Sequence, residues 1–222
     1  MDLLNKKVYK NNGNQAILQY IPNNCKVLDI GCGAGDNAKI LISRGCIVDG
    51  ITLSIDEATI TTPILNKCFV YNLENGLPPE VHEHYDVVLC SHVLEHIFYP
   101  QKLLNDIHAI LNPSGILIVA LPNIMHYRSR WELVKGNFNY MDSGIWDNTH
   151  VRWYTFKTGI ELFENNGYFI KKATVDGEIP FLTFFKFIPH WIRKKILSAL
   201  KYISKGFWGY QLIYIVQNSR NQ

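Results

Sequence analysis

The sequence lacks a long apolar segment and a strong charge of either sign. No segment reaches the ~20 consecutive apolar residues that a membrane-spanning helix needs, and the opening residues, Met1 to Asn14, are polar, unlike a signal peptide. The formal net charge is only +3 over 222 residues. A surface that binds nucleic acid normally concentrates Lys and Arg on one face. We therefore expect a cytoplasmic protein without a nucleic-acid partner.

The sequence also lacks paired cysteine spacings, internal repeats and low-complexity linkers. It has five cysteines, an odd number, and none forms a CxxC motif. The cysteines lie mostly in or beside apolar runs, which favours reduced thiols in a core over disulfides. Since 47% of the residues are apolar or aromatic and 18% are charged, we expect one globular domain over residues 1–222.

Short apolar strands alternate with helical patterns in the first half of the chain, which predicts a parallel sheet. Several strands are almost continuously apolar, as strands covered by helices on both faces must be. A Ser54–Glu57 capping box and Pro100 each open a helix, and the sequence at 112–115 predicts a turn. The predicted strands are 26–30, 47–53, 69–73, 85–90 and 116–121, and the predicted helices include 36–44 and 100–111.

The second half begins with an aromatic and polar segment, 123–154, which interrupts the alternation. A helix at 155–165 and strands at 168–175 and 211–216 then complete the sheet. The predicted fold is a doubly wound, Rossmann-like α/β fold with seven strands, of which the last is antiparallel, plus a helical and aromatic insertion.

The segment VLDIGCGAGD, residues 27–36, places glycines at alternate positions where a buried strand turns into a helix. Gly33 and Gly35 would let the backbone approach a ligand closely. A dinucleotide-binding loop needs GxGxxG, but Asp36 occupies the position of the third glycine. Asp29 would repel a phosphate, whereas it suits a ligand that carries an ammonium group.

These residues resemble the first motif of the class I S-adenosylmethionine-dependent methyltransferases, an acidic residue followed by GxGxG. The resemblance continues through YDVVLCSHVLEHI at 85–97, LNPSG at 111–115 and LPN at 121–123, and covers roughly residues 25–125. It implies S-adenosyl-L-methionine as the cofactor, with the donor half at about 25–122 and acceptor-side segments at about 123–154 and 180–209.

The resemblance also implies which residues bind the methyl donor. Thr52 and Asn72 depart from the acidic residues that the family usually carries after its second and third strands. A threonine has one hydroxyl, so a neighbour such as Asp56 would help to hold the ribose, and the Asn72 amide can still bond the adenine amine. The full set is Asp29, Gly31, Cys32, Gly33, Gly35, Thr52, Leu53, Asn72, Leu73, Ser91 and His92.

Three histidines are candidates for the base that a hydroxyl acceptor requires: first His150, then His96 and His126. His150 lies in DNTHVRWYT, which resembles a segment of bacterial small-molecule and saccharide methyltransferases. The predicted reaction is methyl transfer to a hydroxyl of a small molecule or saccharide, including cell-surface polysaccharide or lipid-linked sugar. The alternatives are transfer to nitrogen, a donor-binding protein without catalysis, and a structural hydrogen-bond cluster around His150.

His92, Glu95 and His96 spell HxxEH, the pattern of inverted zinc peptidases. That function requires the motif well inside a helix and a third ligand on a later element. Here His92 directly follows a buried strand. The sequence therefore predicts no metal, with His92 near the methionine end of the donor and His96 either catalytic or packed at a helix start.

The segment 188–205 has the pattern of an amphipathic, cationic helix. Its apolar face carries Ile192, Ile196, Leu200 and Ile203, and its basic residues include Arg193, Lys194, Lys201 and Lys205. We expect this face to cover the sheet or the active site, or to form a dimer contact, and a peripheral membrane contact is the alternative. The sequence does not specify the oligomeric state.

Overall fold

A seven-stranded sheet organises the protein in the computed structural model, which describes residues 12–177, 188–189, 191–193, 195–196, 199 and 205–219. Its strand order is β3-β2-β1-β4-β5-β7-β6. The strands are β1 (Lys26–Ile30), β2 (Ile47–Thr52), β3 (Lys67–Val70), β4 (Tyr85–Ser91), β5 (Leu111–Pro122), β6 (Tyr168–Asp176) and β7 (Gln211–Asn218).

The first five strands are parallel and the last one is antiparallel to both of its neighbours, β5 and β6. Strand order reverses at β1, which pairs with β2 on one side and with β4 on the other. In open α/β sheets such a reversal leaves a crevice outside the carboxyl ends of the strands. This arrangement confirms the predicted Rossmann-like, mostly parallel fold.

Helices cover both faces of the sheet, and their ends follow the predicted signals. Ser54 accepts the Glu57 backbone N–H at 3.3 Å, and Thr155 forms a capping box with Thr158. Pro100 opens its helix at the first turn. The helices whose bounds lie in the described residues are α1 (Gln15–Leu18), α2 (Asp36–Ser43), α3 (Ile55–Thr61), α4 (Pro100–Ile110), α5 (Tyr127–Val134), α6 (Phe156–Glu164) and α7 (Lys205–Trp208).

Alternate side chains of the central strands enter two apolar layers. Leu28 and Val88 belong to the layer that contains residues of α4 and α6, whereas Val27 and Leu89 belong to the layer that contains residues of α1 and α2. Because both faces of each central strand are buried, the strands have to be apolar at nearly every position. This is why they were visible in the sequence.

Two strands, β3 and β5, differ most from the predictions. Strand β3 begins two residues earlier and ends three residues earlier than predicted, and a short 3-10 helix follows at Leu73–Asn75. The predicted turn at 112–115 lies inside β5, where pairing moves from Tyr85–Leu111 to Val87–Ile116. The residues of the predicted turn therefore form an irregularity near the start of β5. They belong to the strand because Leu111, which precedes them, pairs with Tyr85.

Helices α1, α5 and α7 were not predicted. In α5 only Ser129 is buried, so this helix has no apolar face of the kind that a periodicity search detects.

None of the helices among the described residues is both long and apolar enough to span a membrane. An amphipathic helix was predicted within 188–205. Four of the residues used for that prediction, Lys194, Leu200, Lys201 and Ile203, lie outside the described residues.

The packing of α6 on β7 gives a prediction about stability. A Cβ at Gly159 would lie 2.5 Å from Cζ and 2.8 Å from Cε2 of Tyr214. Tyr214 is fully buried and its hydroxyl donates to the Phe156 carbonyl at 2.9 Å, so the ring has little room to move. We expect Gly159→Ala to lower the free energy of unfolding by about 1–3 kcal/mol in urea denaturation.

The matched control is Gly206→Ala in α7, where an added Cβ would have no atom within 4 Å. We expect this variant to unfold like the wild type. Equal stability of the two variants would contradict tight packing between α6 and β7.

Candidate active site

Every predicted donor-binding residue lies at the carboxyl edge of β1 to β4, because these four strands are parallel neighbours in the sheet. The glycine loop follows β1, and Thr52 with Leu53 ends β2. Asn72 and Leu73 follow β3, and Ser91 with His92 ends β4. The strand order thus brings four separate segments to one crevice.

The loop after β1 packs closely against a neighbouring segment and has backbone angles that require glycine. Gly31, Gly33 and Gly35 have φ values of 73°, 52° and 78°, in the left-handed region that other residues avoid. The Gly31 and Cys32 amides donate to the Ile51 carbonyl at 2.8 and 2.9 Å. A Cβ at Gly31 would overlap Cγ2 of Val93, so the loop packs directly on the segment after β4.

Asp29 is a buried carboxylate beneath this loop. Its side chain is fully buried, and neither carboxylate oxygen has a hydrogen-bond partner among the residues that the structure describes. Desolvation by burial raises its pKa from 3.8 to about 7. A ligand that brings an ammonium group or hydrogen-bond donors would satisfy this carboxylate.

At the end of β2 the structure places a carboxylate that the sequence analysis did not assign to the site. The Thr52 hydroxyl donates to the Glu57 carboxylate at 2.5 Å and accepts the Ser54 amide at 3.2 Å. Glu57 is buried, whereas Asp56, the predicted helper, is exposed. The sequence analysis interprets Glu57 only as a capping residue. Its position in the first turn of α3, directly after β2, is the signal that could have placed it near Thr52.

At the end of β3, Asn72 caps the 3-10 helix. Its side-chain oxygen accepts the Glu74 amide at 3.0 Å, which leaves this oxygen one further lone pair for a ligand donor. Leu73 is half-buried and packs against the apolar layer beneath it. This pair offers a polar and an apolar contact side by side.

At the end of β4, His92 adopts a left-handed conformation with φ of 57°, a strained position for a residue other than glycine. Its Nε2 lies 3.2 Å from Oε1 of Gln211 and its Nδ1 lies 3.3 Å from Oε1 of Glu95. Desolvation opposes protonation, but the Glu95 carboxylate and the Gln211 oxygen outweigh it and raise the pKa of His92. Asn14 donates to Ser91 Oγ at 3.3 Å and to Gln211 Oε1 at 2.9 Å.

A cleft of about 260 Å³ opens beside Gln211, at the ends of β5, β6 and β7. Its lining residues are His126, Arg128, Asp176, Gly177, Tyr210 and Gln211. Neither ring nitrogen of His126 has a hydrogen-bond partner among the described residues. Desolvation, with a smaller contribution from Arg128, lowers the pKa of His126 to about 4, so its imidazole is neutral near pH 7.

The other two candidate histidines lie together, away from the residues that line this cleft. The rings of His96 and His150 meet edge to face with centroids 4.7 Å apart. His150 Nε2 lies 4.0 Å from Oε1 of Glu95, and burial lowers the pKa of His150. His96 lies in a 3-10 helix, Leu94–His96, where an α-helix start was expected.

The loop around His150 also contains hydrogen bonds of the kind expected if His150 belongs to a structural hydrogen-bond cluster. Thr149 Oγ1 donates to Asp147 at 2.6 Å, and Arg152 Nε donates to the Phe98 carbonyl at 2.7 Å. The Val151 and Arg152 amides both donate to the Glu95 carbonyl, at 2.9 and 3.0 Å. This network ties the loop to the segment after β4.

Comparison with known proteins gives a family match over most of the chain. The sequence profile of a family described as "Methyltransferase domain" matches residues 7–172. A ubiquinone biosynthesis O-methyltransferase of Haemophilus ducreyi is 31% identical over 114 residues, covering 44% of this chain and 45% of that protein. Its counterpart in Histophilus somni is 28% identical over 152 residues, covering 62% and 63%. The chain spans about half the length of the curated relatives it matches.

Solved structures share the fold. An S-adenosylmethionine-dependent methyltransferase from Archaeoglobus fulgidus superposes with a TM-score of 0.64 at 18% identity, covering 92% of this chain and 90% of that one. The Burkholderia thailandensis 1,6-didemethyltoxoflavin-N1-methyltransferase, solved with bound 1,6-didemethyltoxoflavin and S-adenosylhomocysteine, gives a TM-score of 0.57 at 14% identity, covering 92% and 75%.

The burial of Asp29 predicts how stability depends on pH. Because its folded pKa of about 7 exceeds the ordinary value of 3.8, ionisation of Asp29 adds no penalty to folding below about pH 4. The penalty then grows as pH rises to 7, to roughly 4 kcal/mol at about 1.4 kcal/mol per pKa unit. We expect Asp29→Asn to remove this pH-dependent loss of stability.

The measurement is urea denaturation of the ligand-free wild type and Asp29→Asn at pH 5, 6, 7 and 8. The stability of the variant relative to the wild type should rise by roughly 2–3 kcal/mol between pH 5 and 8. A difference that does not change with pH would show that Asp29 is already neutralised in the ligand-free protein.

Proposed function

This chain belongs to the methyltransferase domain family, and we propose that it transfers the methyl group of S-adenosyl-L-methionine to a hydroxyl of a small molecule. The family match confirms the family that the sequence predicted, and the shared fold supports the predicted cofactor. The named curated relatives are O-methyltransferases, which favours oxygen over nitrogen as the acceptor atom. The predicted saccharide acceptor stays a prediction.

The single observation that carries this proposal is the Asp29 carboxylate, buried beneath the glycine loop without a hydrogen-bond partner among the described residues. The amino-acid end of the donor brings an ammonium group, which neutralises such a carboxylate. The left-handed glycines let the donor lie against the backbone where a side chain would exclude it. A phosphate ligand would add a second negative charge beside Asp29, so the residues present fit a sulfonium nucleoside better.

The nucleoside end of the donor would meet the ends of β2 and β3. The Thr52–Glu57 pair places a charged acceptor where ribose hydroxyls would lie, as the family's acidic residue does. Asn72 would accept from the adenine amine with its remaining lone pair, and Leu73 would pack on the ring. In this arrangement Glu57 replaces the acid that is missing at Thr52.

The donor, when bound, supplies a sulfonium methyl that is already a good electrophile. The acceptor oxygen forms the new bond to the methyl carbon, the sulfur keeps the electron pair of the bond that breaks, and the acceptor loses its proton. The chain's main task is to align the acceptor with the methyl and exclude water. The cleft beside Gln211 is the space for the acceptor, since His92 connects Gln211 to the donor side.

We assign the proton-accepting role to His126 rather than to His150, the first candidate from the sequence. His126 lines the cleft, and both of its ring nitrogens are unbonded to described residues. His150 is not among the residues that line this cleft. A neutral imidazole in the cleft can accept the hydroxyl proton as the new bond forms.

The test of this function uses donor with an isotopically labelled methyl group and the full chain. We expect the donor to bind, and labelled ether products to appear in a pool of phenols, diols and sugars. We expect His126→Gln to lower turnover by roughly 10²–10⁴-fold at unchanged donor affinity. Labelled amines would move the acceptor to nitrogen, binding without transfer would indicate a donor-binding protein, and no binding would refute the proposal.

The Thr52–Glu57 pair gives a separate prediction for donor affinity. Replacing Glu57 with Gln removes one charge-assisted hydrogen-bond acceptor, which typically contributes about 1.5–3 kcal/mol. We expect Glu57→Gln to weaken donor binding by roughly 10–100-fold in isothermal titration calorimetry.

The matched control is Asp56→Asn, one residue earlier on α3 and exposed. It removes the same charge from the same helical turn without touching Thr52. Equal weakening of donor binding by both substitutions would assign the effect to the general charge of the turn instead of to a contact with the ribose.

A further inference from the structure

Glu95 is a second buried carboxylate in an unusual setting. It is fully buried, and neither carboxylate oxygen forms a hydrogen bond among the described residues. Its neighbours at Oε1 are two imidazoles, His92 Nδ1 at 3.3 Å and His150 Nε2 at 4.0 Å. A buried carboxylate without hydrogen bonds is costly unless a cation lies beside it, and the nearest side chain that can become one is His92.

The hydrogen bonds of His150 determine which of its ring nitrogens carries a proton. Its Nδ1 lies 3.1 Å from the Ile145 carbonyl oxygen. Because a carbonyl can only accept, Nδ1 must carry the hydrogen, and a neutral His150 then has a lone pair on Nε2. That lone pair is on the atom that lies near the Glu95 carboxylate.

The same reasoning applies to His96. Its Nδ1 lies 3.2 Å from the Thr149 carbonyl oxygen and 3.1 Å from Thr149 Oγ1. The Thr149 hydroxyl donates its only hydrogen to Asp147, so it too acts as an acceptor for His96. The hydrogen of a neutral His96 is therefore on Nδ1, and the lone pair is on Nε2.

Two histidines with Nδ1–H bonded to carbonyl oxygens and a free Nε2 lone pair have the outer-shell arrangement of metal ligands. Each of Glu95, His96 and His150 offers a ligand atom, and these atoms lie within 4.8 Å of one another. Without a cation, the lone pairs and the carboxylate would face each other unfavourably. Three side chains from two separate elements thus converge with only acceptor atoms toward one point.

We propose that Glu95, His96 and His150 bind a divalent transition-metal ion such as Zn²⁺ or Mn²⁺. Two imidazoles and one carboxylate favour such an ion over Ca²⁺, which prefers oxygen ligands alone. The absence of metal predicted from HxxEH rested on the position of His92 directly after a buried strand, whereas the ligands proposed here are Glu95, His96 and, from a later element, His150. Bonds of about 2.0–2.2 Å require the ligand atoms to move only about 1 Å closer.

The function of the ion rests on the proposed methyl transfer. Three protein ligands leave coordination positions open, and an acceptor hydroxyl bound there would have a lowered pKa. The proton of a hydroxyl bound there would leave to water, the oxygen would attack the methyl carbon, and sulfur would keep the electrons of its broken bond. His92 contacts both Glu95 and Gln211, so one side chain separates the metal ligands from the cleft.

The experiment measures metal binding directly, without donor or acceptor. Untagged full-length protein is stripped with chelator, dialysed against Zn²⁺ or Mn²⁺, and assayed by mass spectrometry for bound metal. Co²⁺ titration followed by visible absorption then reports nitrogen and oxygen coordination. We expect one equivalent of metal in the wild type, and at least about 100-fold weaker binding in Glu95→Gln and in His150→Asn.

Glu95→Gln keeps the shape and the backbone contacts of Glu95, so it tests the ligand even if His150→Asn fails to fold. The control is His84→Asn, which removes an exposed histidine and should bind metal like the wild type. Retention of less than one equivalent by the wild type, or wild-type affinity in Glu95→Gln, overturns the metal site. Donor calorimetry on the same samples separates the proposals, because loss of metal binding alone leaves the methyl-transfer proposal intact.

Discussion

The parallel pairing of β1 between β2 and β4 is the constraint on which the rest of this molecule depends. It buries Asp29 on the central strand and brings the ends of four strands to one edge. It also presses the glycine loop onto Val93, in the segment that carries Glu95 and His96. The glycine loop and the segment that carries two of the proposed metal ligands are therefore in contact, between Gly31 and the Val93 side chain.

Two buried carboxylates, Asp29 and Glu95, lie near this edge of the sheet. Each is fully buried and lacks a hydrogen bond within the described part of the chain, and a buried carboxylate costs stability until a positive group lies beside it. The group that we propose for Asp29 is the ammonium of the donor. For Glu95, the positive groups are a protonated His92, whose Nδ1 lies 3.3 Å away, and the proposed metal ion.

Much of the fold could be predicted from the sequence, and the residues predicted to bind the donor lie together at one edge of the sheet. The apolar strands, the glycine loop and the caps at Ser54, Pro100 and Thr155 all lie where the residues indicated. The two ends of β3 and the start of β5 could not be placed, because pairing with a neighbouring strand decides where a strand stops. Helix α5 was missed since it buries only Ser129 and has no apolar periodicity.

The sequence by itself determined what depends on residues a few positions apart: strand and helix type, the caps, and the left-handed turns that only glycine adopts readily. The tertiary structure alone decided which distant side chains meet. It brought Glu57 to Thr52, His150 to Glu95, and His126 to the cleft beside Gln211. The physical reason is that local conformation follows from short-range sterics and hydrogen bonds, whereas contacts between elements follow from strand order and the path of the loops.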